Sequence, residues 1–427
     1  MLDIVDLRGI PGDLRAALAR PVGTGNDVAQ VVAEIIGAVR ARGDDALREL
    51  TQRLDGCALD DLRVPPADLA DALSQLTPRL RSALELARDQ IVAWHEAQRE
   101  KEARHERLGI EVYERVIPVD RAGCYVPGGR APLVSSVLMT ALTARVAGVP
   151  EVVLCVPPGR DGRVASSILA AAELATVDEV YSVGGAQAIA ALAYGTETIR
   201  PVDVIVGPGN AYVVEAKRQV VGAVGIDGLA GPSEVAVVAD DTVDPAWVAA
   251  DVLAQAEHGP GGAVAVIVWD ETVAERVELA LETLLLTATR REEASSTLEA
   301  GGRVVLVEDA PRAIDAANAI APEHLELMCA DAPLLVPLVR NAGAVFVGTY
   351  APAVLGDYVA GTNHVLPTGG TARFASALRI SAFQKHVHVV HADAGALSRV
   401  ADATRAIADE EGLSAHADAI RLRQEPS

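Results

Sequence analysis

The stretch QAEHGPGG, residues 255–262, places a glutamine and a histidine three positions apart at the end of a predicted helix. An Asp-Pro pair just upstream is a favourable helix start, so this helix is predicted to run from residue 245 to about 257. At about 100° per residue, Gln255 lies on the apolar stripe of the helix and His258 lies about 60° to its side. A buried glutamine amide needs hydrogen-bond partners or a cation, because burial of an unpaired amide costs about 1–3 kcal/mol.

The spacing by itself leaves two interpretations of this helix end. A histidine in the last turn is stabilised by the helix dipole by about 0.3–1 kcal/mol, and glutamine is an uncommon metal ligand. The spacing alone therefore favours an ordinary helix C-terminus over a metal site. Glu257 falls on the opposite face of the helix and is not a candidate ligand.

A second pair of ionisable residues stands in APEHLEL, residues 321–327. Pro322 ends the preceding helix, so Glu323 and His324 are predicted to open a strand at the edge of a sheet. A histidine beside a carboxylate suits general base catalysis, in which His324 takes one proton and Glu323 activates a water. Seen in isolation, a charged pair at a strand entry is the simpler explanation.

Two polar segments nearer the C-terminus add further candidates. GDYVAGTNHVLPTGG contains Asp357 and His364 in a glycine-rich loop that is too polar to serve packing alone. EEGLSAHAD contains Glu411 and His416, for which a solvated helix is the alternative.

Three glycine-rich segments could approach a nucleotide. YVPGGRAPL contains Tyr125, VGGAQAIAALAYG contains Gln187, and VGPGNAYVVEAK contains Asn210. The last two follow predicted strands, where ligands collect in α/β sheets and where a helix N-terminus can face a phosphate. Neither segment is a G-x-G-x-x-G motif. After Gly207 and Gly209, the third glycine would be at position 212, which is tyrosine, so tight turns explain these glycines about equally well.

The sequence HVHVVH contains His386, His388 and His391. Alternation along a strand puts His386 and His388 on one face. No carboxylate lies at a matching spacing, so we interpret the segment as an exposed strand without a role.

Short β-branched runs alternate with alanine-rich helical segments from about residue 115 onwards. The predicted strands cover residues 151–156, 179–183, 203–207, 234–239, 263–269, 303–308, 324–328 and 343–348. Continuous apolar strands separated by helices indicate parallel sheets that are covered on both faces. There are too many strands for one compact unit, so two doubly wound α/β domains are predicted.

The flanking parts of the chain differ from this central pattern. The first 115 residues are predicted to be mostly helical, with Asn26 as a cap and Gly43 dividing two helices. The charged stretch REKEARHERLG, residues 99–109, is predicted to be an exposed helix end. After residue 375 the chain offers one short strand and two helices, which must pack on another part or another copy of the protein.

Composition limits the classes of protein that this chain can be. The formal net charge of -22 over 427 residues argues against nucleic-acid partners and against an anionic membrane surface. Cys57, Cys124, Cys155 and Cys329 form no C-x-x-C pair, so a reducing, cytoplasmic location is expected. The first twenty residues contain no long apolar core, so no signal peptide is expected, and residues 131–150 are interpreted as a buried helix because they carry Arg145.

The run IDGLAGPSEVAVVADDTVDPAWVAADVLAQAEHGPGG resembles the signature region of histidinol dehydrogenases. The segments YVPGGRAPLVSSVLM, SVGGAQAIAALAYGT, VIVGPGNAYVVEAKR, NAIAPEHLEL and GDYVAGTNHVLPTGGTARF resemble the same family in the same order. The resemblance covers about residues 20 to 423. Several long motifs in one order are far more specific than any single motif, and HVHVVH is the one segment that matches no role in the family.

The resemblance implies a zinc-dependent enzyme that oxidises L-histidinol through L-histidinal to L-histidine with two NAD⁺, at the end of histidine biosynthesis. It implies one zinc ion per subunit with the ligands Gln255, His258, Asp357 and His416. It implies substrate contacts from Ser233, Gln255, His258, His324, Asp357, Glu411 and His416. It implies Glu323 and His324 as the acid–base pair and Tyr125, Gln187 and Asn210 as the NAD contacts, although the family lacks the usual dinucleotide fingerprint.

The family is a homodimer whose C-terminal tail crosses to the neighbouring subunit, so Glu411 and His416 would complete the partner's site. We accordingly expect two incomplete Rossmann-like parallel-sheet domains, an N-terminal helical arm and a tail exchanged in the dimer. The expected division is an arm over 1–21, a first α/β domain with the zinc and catalytic residues over 22–124 and 234–375, a second α/β domain with the NAD contacts over 125–233, and the tail over 376–427.

Two other functions compete with this interpretation. A paralogous zinc- and NAD-dependent alcohol dehydrogenase of the same family would act on another amino-alcohol or hydroxy compound, and Glu411 and His416 in the tail favour histidinol over it. A non-catalytic nucleotide-binding or metal-storage protein would not need the pair Glu323 and His324.

Overall fold

The structure is a computed structural model that describes residues 2–18, 26–128, 131–259 and 261–424. Its strands are β1 Asp3–Asp6, β2 Arg104–Arg107, β3 Ile110–Pro118, β4 Arg121–Tyr125, β5 Glu151–Val156, β6 Glu179–Ser182, β7 Val204–Val206, β8 Gly225–Ile226, β9 Glu234–Ala239, β10 Ala263–Val268, β11 Gly302–Leu306, β12 His324–Met328, β13 Ala344–Val347 and β14 Gln384–His391. Its helices are α1 Asn26–Arg42, α2 Asp44–Leu54, α3 Pro66–Ser74, α4 Pro78–Ala97, α5 Val134–Ala147, α6 Ser166–Leu174, α7 Gly185–Tyr194, α8 Ala211–Val220, α9 Pro245–Ala256, α10 Glu271–Leu285, α11 Arg291–Gly301, α12 Ala310–Ile320, α13 Ala332–Leu335, α14 Ala353–Tyr358, α15 Ala394–Glu410 and α16 Ser414–Gln424.

Sheet A contains six parallel strands in the order β1-β11-β10-β9-β12-β13. Alternate residues of its central strands point to opposite faces, so Val235 and Val237 pack with α9, α10 and α11. Ala236 and Val238 face the other side, where they pack with α12 and α13. Because both faces are covered, the central strands β9 and β10 are apolar at almost every position rather than alternating.

Sheet B contains five parallel strands in the order β6-β5-β4-β7-β8. Leu154 of β5 faces the cluster formed with α3, α4, α5 and α6. The next residue, Cys155, faces the cluster formed with α1, α2, α7 and α8. The prediction of two parallel sheets, each covered on both faces, is therefore confirmed.

The predicted local boundaries agree closely with this architecture. The strands over 151–156, 234–239 and 324–328 are confirmed residue by residue. Gly43, with a φ of 53°, separates α1 from α2 as predicted. Helix α1 begins at Asn26, and the capping role of that residue stays a prediction. The expected domain division between residues 124 and 125 falls inside β4, a strand of sheet B, and the domain boundaries stay a prediction.

A third sheet, antiparallel and three-stranded, joins β14, β3 and β2. The prediction of an exposed helix end over 99–109 is wrong, because residues 104–107 form β2. The N-terminal arm is likewise not simply helical, since Asp3–Asp6 form β1 at the edge of sheet A. Both strands are exposed along most of their length, so neither carries the apolar pattern from which a strand is recognised.

The C-terminal tail consists of β14, α15 and α16, as predicted from its length and pattern. Strand β14 is exposed, also as predicted, but its histidines have a carboxylate neighbour that the spacing did not reveal. Glu114 of β3 contacts His386 Nδ1 at 3.1 Å and His388 Nε2 at 3.4 Å. The expectation that no carboxylate matches these histidines is therefore wrong, because the partner comes from the adjacent strand.

The four cysteines are free and buried, and Cys155 lies inside sheet B as the apolar run predicted. Burial raises the pKa of the Cys124 thiol to about 12. Over the described residues, no helix is long and apolar enough to cross a membrane.

Candidate active site

Helix α9 supplies the first two candidate ligands. Asp244 caps it by accepting a hydrogen bond from Ala246 N at 2.9 Å, and Pro245 is its first residue, so the predicted helix start is confirmed. Gln255 is buried at its C-terminal end, where its Nε2 donates a hydrogen bond to His258 Nδ1 at 3.2 Å. The two side chains thus lie together on one side of the helix end, as their spacing suggested.

Gln255, His258 and Asp357 line one cavity of about 20 Å³. Asp357 is carried by α14, a helix of six residues, and its side chain is 24% exposed. The cavity is large enough for one water-sized sphere. Across residues 2–18, 26–128, 131–259 and 261–424, no group of three or more His, Cys, Asp or Glu side chains could hold a metal. His258 and Asp357 belong to these residue types and Gln255 does not, so these three residues would need at least one more ligand to hold a metal ion.

Glu323 is a buried carboxyl group immediately before β12. Its Oε2 accepts hydrogen bonds from Ser233 Oγ at 2.5 Å and from Glu234 N at 2.8 Å. Burial raises the pKa of Glu323 to about 8, although both hydrogen bonds act in the opposite direction. A carboxyl group with a pKa near neutrality can exchange protons with water or substrate at physiological pH.

His324 is the first residue of β12 and is also buried. Its Nδ1 lies 3.0 Å from the carbonyl oxygen of Glu234, which can only accept a hydrogen bond, so Nδ1 carries the proton. Nε2 is then the basic nitrogen, and it lies 3.8 Å from Asp357 Oδ1. Burial lowers the pKa of His324, which keeps the imidazole neutral and able to accept a proton.

The predicted acid–base pair lies at the amino-terminal edge of sheet A. Ser233 immediately precedes β9, and Glu323 and His324 lie at the start of the neighbouring strand β12. Ligand sites in open α/β sheets usually follow the carboxyl ends of strands. Ser233, Glu323 and His324 lie close together because β9 pairs with β12 in one register, and no local sequence motif indicates that register.

The structure adds His364 and Ser136 to this neighbourhood. His364 Nδ1 donates to the carbonyl oxygen of Asp357 at 3.0 Å, and its Nε2 accepts from Ser136 Oγ at 3.1 Å. The polar loop had drawn attention to His364, but no role was assigned to it. Ser136 carried no sequence signal, because it is one of several small polar residues in α5.

Two further carboxyl groups at the cavity, the buried Glu326 and the half-buried Asp251, were not predicted as site residues. Glu326 of β12 and Asp251 of α9 both line the cavity. Glu326 had appeared in the quoted motif without a role, and the i, i+4 relation of Asp251 to Gln255 is the signal that could have identified it.

The three residues expected to contact NAD lie at the carboxyl edge of sheet B. Tyr125 ends β4 and its hydroxyl accepts a hydrogen bond from Gly185 N, at the start of α7, at 3.1 Å. Gln187 lies in the first turn of α7 and is 1% exposed, and its Oε1 has no hydrogen-bond partner among the residues that the structure describes. Asn210 caps α8 by accepting from Tyr212 N and Val213 N at 3.0 and 3.1 Å.

The glycine-rich loop before α8 is held by a buried ion pair between Lys217 and Asp227. Lys217 Nζ donates to the carbonyl oxygen of Gly207 at 3.0 Å, and Gly207 N donates to Asp227 Oδ2 at 2.7 Å. Gly207 has a φ of 118°, and a Cβ there would lie 2.1 Å from the carbonyl oxygen of Tyr125. Only glycine therefore allows this loop to pack against the end of β4.

One segment, residues 227–233, connects the carboxyl edge of sheet B with the amino-terminal edge of sheet A. On one side, Gly209 N donates to the carbonyl oxygen of Ala230 at 3.5 Å. On the other side, Gly231 N donates to Thr368 Oγ1 at 2.7 Å, in the loop that follows His364. The carboxyl edge of sheet B and the amino-terminal edge of sheet A therefore adjoin through this segment.

The structure does not bring the tail residues into this site. Glu411 and His416 are exposed at the junction of α15 and α16. Among the described residues, neither side chain forms a hydrogen bond or an ion pair with the candidate residues of α9, β12 or α14.

Comparison with known proteins gives one consistent result. The sequence model of a protein family described as histidinol dehydrogenase matches residues 18–424. A histidinol dehydrogenase of Rhizobium meliloti (strain 1021) is 47% identical over 414 residues, covering 96% of this chain and 95% of that protein. One of Synechococcus sp. (strain ATCC 27144 / PCC 6301 / SAUG 1402/1) is 49% identical over 401 residues, with 92% of each chain covered. The crystal structure of histidinol dehydrogenase from Elizabethkingia anophelis matches with a TM-score of 0.93 at 34% identity, covering 99% of this chain and 98% of that one.

Proposed function

This chain belongs to the histidinol dehydrogenase family and is an oxidoreductase, and we propose that it oxidises L-histidinol through L-histidinal to L-histidine with two NAD⁺. The observation that carries the proposal is the buried pair Glu323 and His324. The imidazole of His324 is neutral and keeps one nitrogen free to accept a proton, and the carboxyl group of Glu323 has a raised pKa. A four-electron oxidation of an alcohol needs a base for the hydroxyl proton and a base for a water molecule. The two residues meet these two needs.

The donor set at the end of α9 fits a zinc ion. Gln255, His258 and Asp357 offer an amide, an imidazole and a carboxylate around one cavity, and these are nitrogen and oxygen ligands that zinc accepts. With a histidine as the fourth ligand the site would carry one negative charge, so the bound ion would keep net positive charge. When bound, zinc would orient the amine and imidazole nitrogens of the substrate and polarise its oxygen.

The carboxyl edge of sheet B fits a nicotinamide cofactor. A buried Gln187 oxygen without a hydrogen-bond partner is costly in a folded protein and is satisfied when a ligand brings a donor to it. Tyr125 and Asn210 lie at the ends of neighbouring strands of the same edge. Bound NAD⁺ would supply the hydride acceptor for both oxidation steps.

His324 would act in the first step and Glu323 in the second. His324 Nε2 accepts the hydroxyl proton of the alcohol as the carbon loses a hydride, and the product is the aldehyde. Glu323 then takes a proton from a water that adds to the aldehyde carbonyl, and loss of a second hydride from the same carbon gives the acid. The burial of both groups excludes bulk water from the proton transfers.

We further propose that the protein is a homodimer in which each tail completes the partner's site. Three of the four ligands that the family resemblance implies line the cavity, whereas the fourth, His416, is exposed on a tail that carries few buried residues. The supply of His416 and Glu411 by a second subunit would account for both facts. The cytoplasmic location stays a prediction from the cysteine pattern.

A paralogous dehydrogenase acting on another amino-alcohol is the alternative. The experiment that separates the two measures NADH formed per molecule of L-histidinol consumed, with and without a chelator, against other amino-alcohols as substrates. We expect two NADH per histidinol, loss of activity on chelation and recovery with zinc. A ratio of one, or faster turnover of another alcohol, would contradict the proposed reaction.

A further inference from the structure

Glu326 is a buried carboxyl group with one satisfied and one unsatisfied oxygen. It is 1% exposed and lies two residues after His324, on the same face of β12. Its Oε1 accepts a hydrogen bond from Ala353 N at 2.7 Å. Its Oε2 is buried and has no donor among the described residues.

The carboxyl group of Asp251 lies within hydrogen-bonding reach of Glu326. Two ionised carboxylates are both acceptors, so they bond to each other only when one of them holds a proton.

The pair connects three elements that carry site residues. Asp251 lies on α9 one turn before Gln255, Glu326 lies on β12, and Ala353 is the first residue of α14. Helix α14 has few other anchors, because Gly356 is its only buried residue. Glu326 holds the first residue of this short helix through Ala353 N, and His364 Nδ1 holds its end through the carbonyl oxygen of Asp357, so loss of Glu326 would release the start of the helix that carries Asp357.

We propose that Asp251 and Glu326, whose carboxyl groups approach each other beside the cavity, position α9 and α14 across it, so that Gln255, His258 and Asp357 converge on one ion. This inference deepens the proposed function and rests on its zinc site. Both residues line the same cavity, and in this proposal they act as positioning residues rather than as ligands. Glu326 fixes the start of the helix that carries Asp357, and Asp251 fixes the last turns of the helix that carries Gln255.

The test compares Glu326→Met with Glu326→Gln. Methionine removes both oxygens at similar length, whereas glutamine keeps an acceptor for Ala353 N and offers its amide to Asp251. The zinc affinity of the metal-free protein is measured by competition with a chromophoric chelator, and amide hydrogen exchange is followed over residues 353–358. We expect Glu326→Met to weaken zinc binding about 10- to 100-fold and to accelerate exchange in α14, and Glu326→Gln to restore both.

Asp251→Ala separates the two halves of the pair and serves if Glu326→Met does not fold. It should weaken zinc binding while exchange in α14 stays slow, because Ala353 keeps its acceptor. The matched control is Asp240→Ala, which removes a carboxylate that accepts from Ala330 N at 3.0 Å, at the other edge of the same strand pair. This control should leave zinc affinity unchanged.

The outcomes distinguish this inference from the function on which it rests. Zinc affinity in Glu326→Met within about threefold of the unmodified protein, with unchanged exchange in α14, would overturn the positioning role. If the unmodified protein bound no zinc, the proposed zinc site would fail. Exchange in α14, which is measured without metal, would still decide whether the pair holds that helix.

Discussion

Replacement of Ser233 by alanine tests the assignment of Glu323 as the base that activates water. Ser233 Oγ and Glu234 N both donate to Glu323 Oε2, and both favour its ionised form. A hydrogen bond to a charged group contributes about 1.5–3 kcal/mol, and about 1.4 kcal/mol corresponds to one pKa unit. Loss of the serine hydroxyl should therefore raise the pKa of Glu323 by about one to two.

Glu323 can act as a base only when its carboxyl group is ionised, and this requirement sets how the rate of aldehyde oxidation changes with pH. Aldehyde oxidation should increase as pH rises through the pKa of Glu323, which is about 8 in the unmodified protein. In Ser233→Ala this rise should move to higher pH by about one to two units, so the rate at neutral pH falls about 10- to 100-fold. The rise of alcohol oxidation with pH depends on His324 and should stay where it is.

The assay is the pH dependence of kcat/KM with L-histidinal and, separately, with L-histidinol, because kcat/KM reports the ionisation of the free enzyme. Ser233→Thr is the matched control, since it keeps a hydroxyl at the same position. If Ser233→Ala lowers the rate equally at every pH, the serine acts on substrate binding alone. In that case the hydrogen bond to Glu323 does not govern the base, and the reasoning is refuted.

Four further predictions follow from the same contacts. Glu323→Gln should reduce aldehyde oxidation by at least about 100-fold and alcohol oxidation far less, and equal loss in both half-reactions would remove Glu323 from the water-activating role. Gln187→Leu should raise the KM for NAD⁺ about tenfold without lowering the free energy of unfolding, because the Gln187 oxygen is unpaired in the free protein; lowered stability with an unchanged KM would contradict this. Lys217→Met should lower the free energy of unfolding by about 3–5 kcal/mol in denaturant titrations, because it leaves Asp227 buried without its cation, and adding Asp227→Asn should recover part of the loss. Inactive His416→Ala and Glu323→Gln subunits, mixed under dissociating conditions, should regain activity when they reassociate if each tail serves the partner's site, and no regain would refute a shared site.

The sequence determined those features whose physical cause is local. Nearly continuous apolar runs predicted β5 and β9, because strands covered on both faces need apolar residues at almost every position. The Asp244-Pro245 pair predicted the start of α9, because a cap and a fixed φ act within one turn. The order of long motifs identified the family, which the comparisons confirm.

Only the tertiary structure decided which distant groups meet. The hydrogen bond from Ser233 to Glu323 exists because β9 pairs with β12 in one register, and a slip of one residue would turn these side chains to the other face. The same cause places Glu114 between His386 and His388, a contact that spacing along one strand could not reveal. Proton affinities such as the raised pKa of Glu323 depend on burial, which is set by everything packed around a residue rather than by its neighbours in the chain.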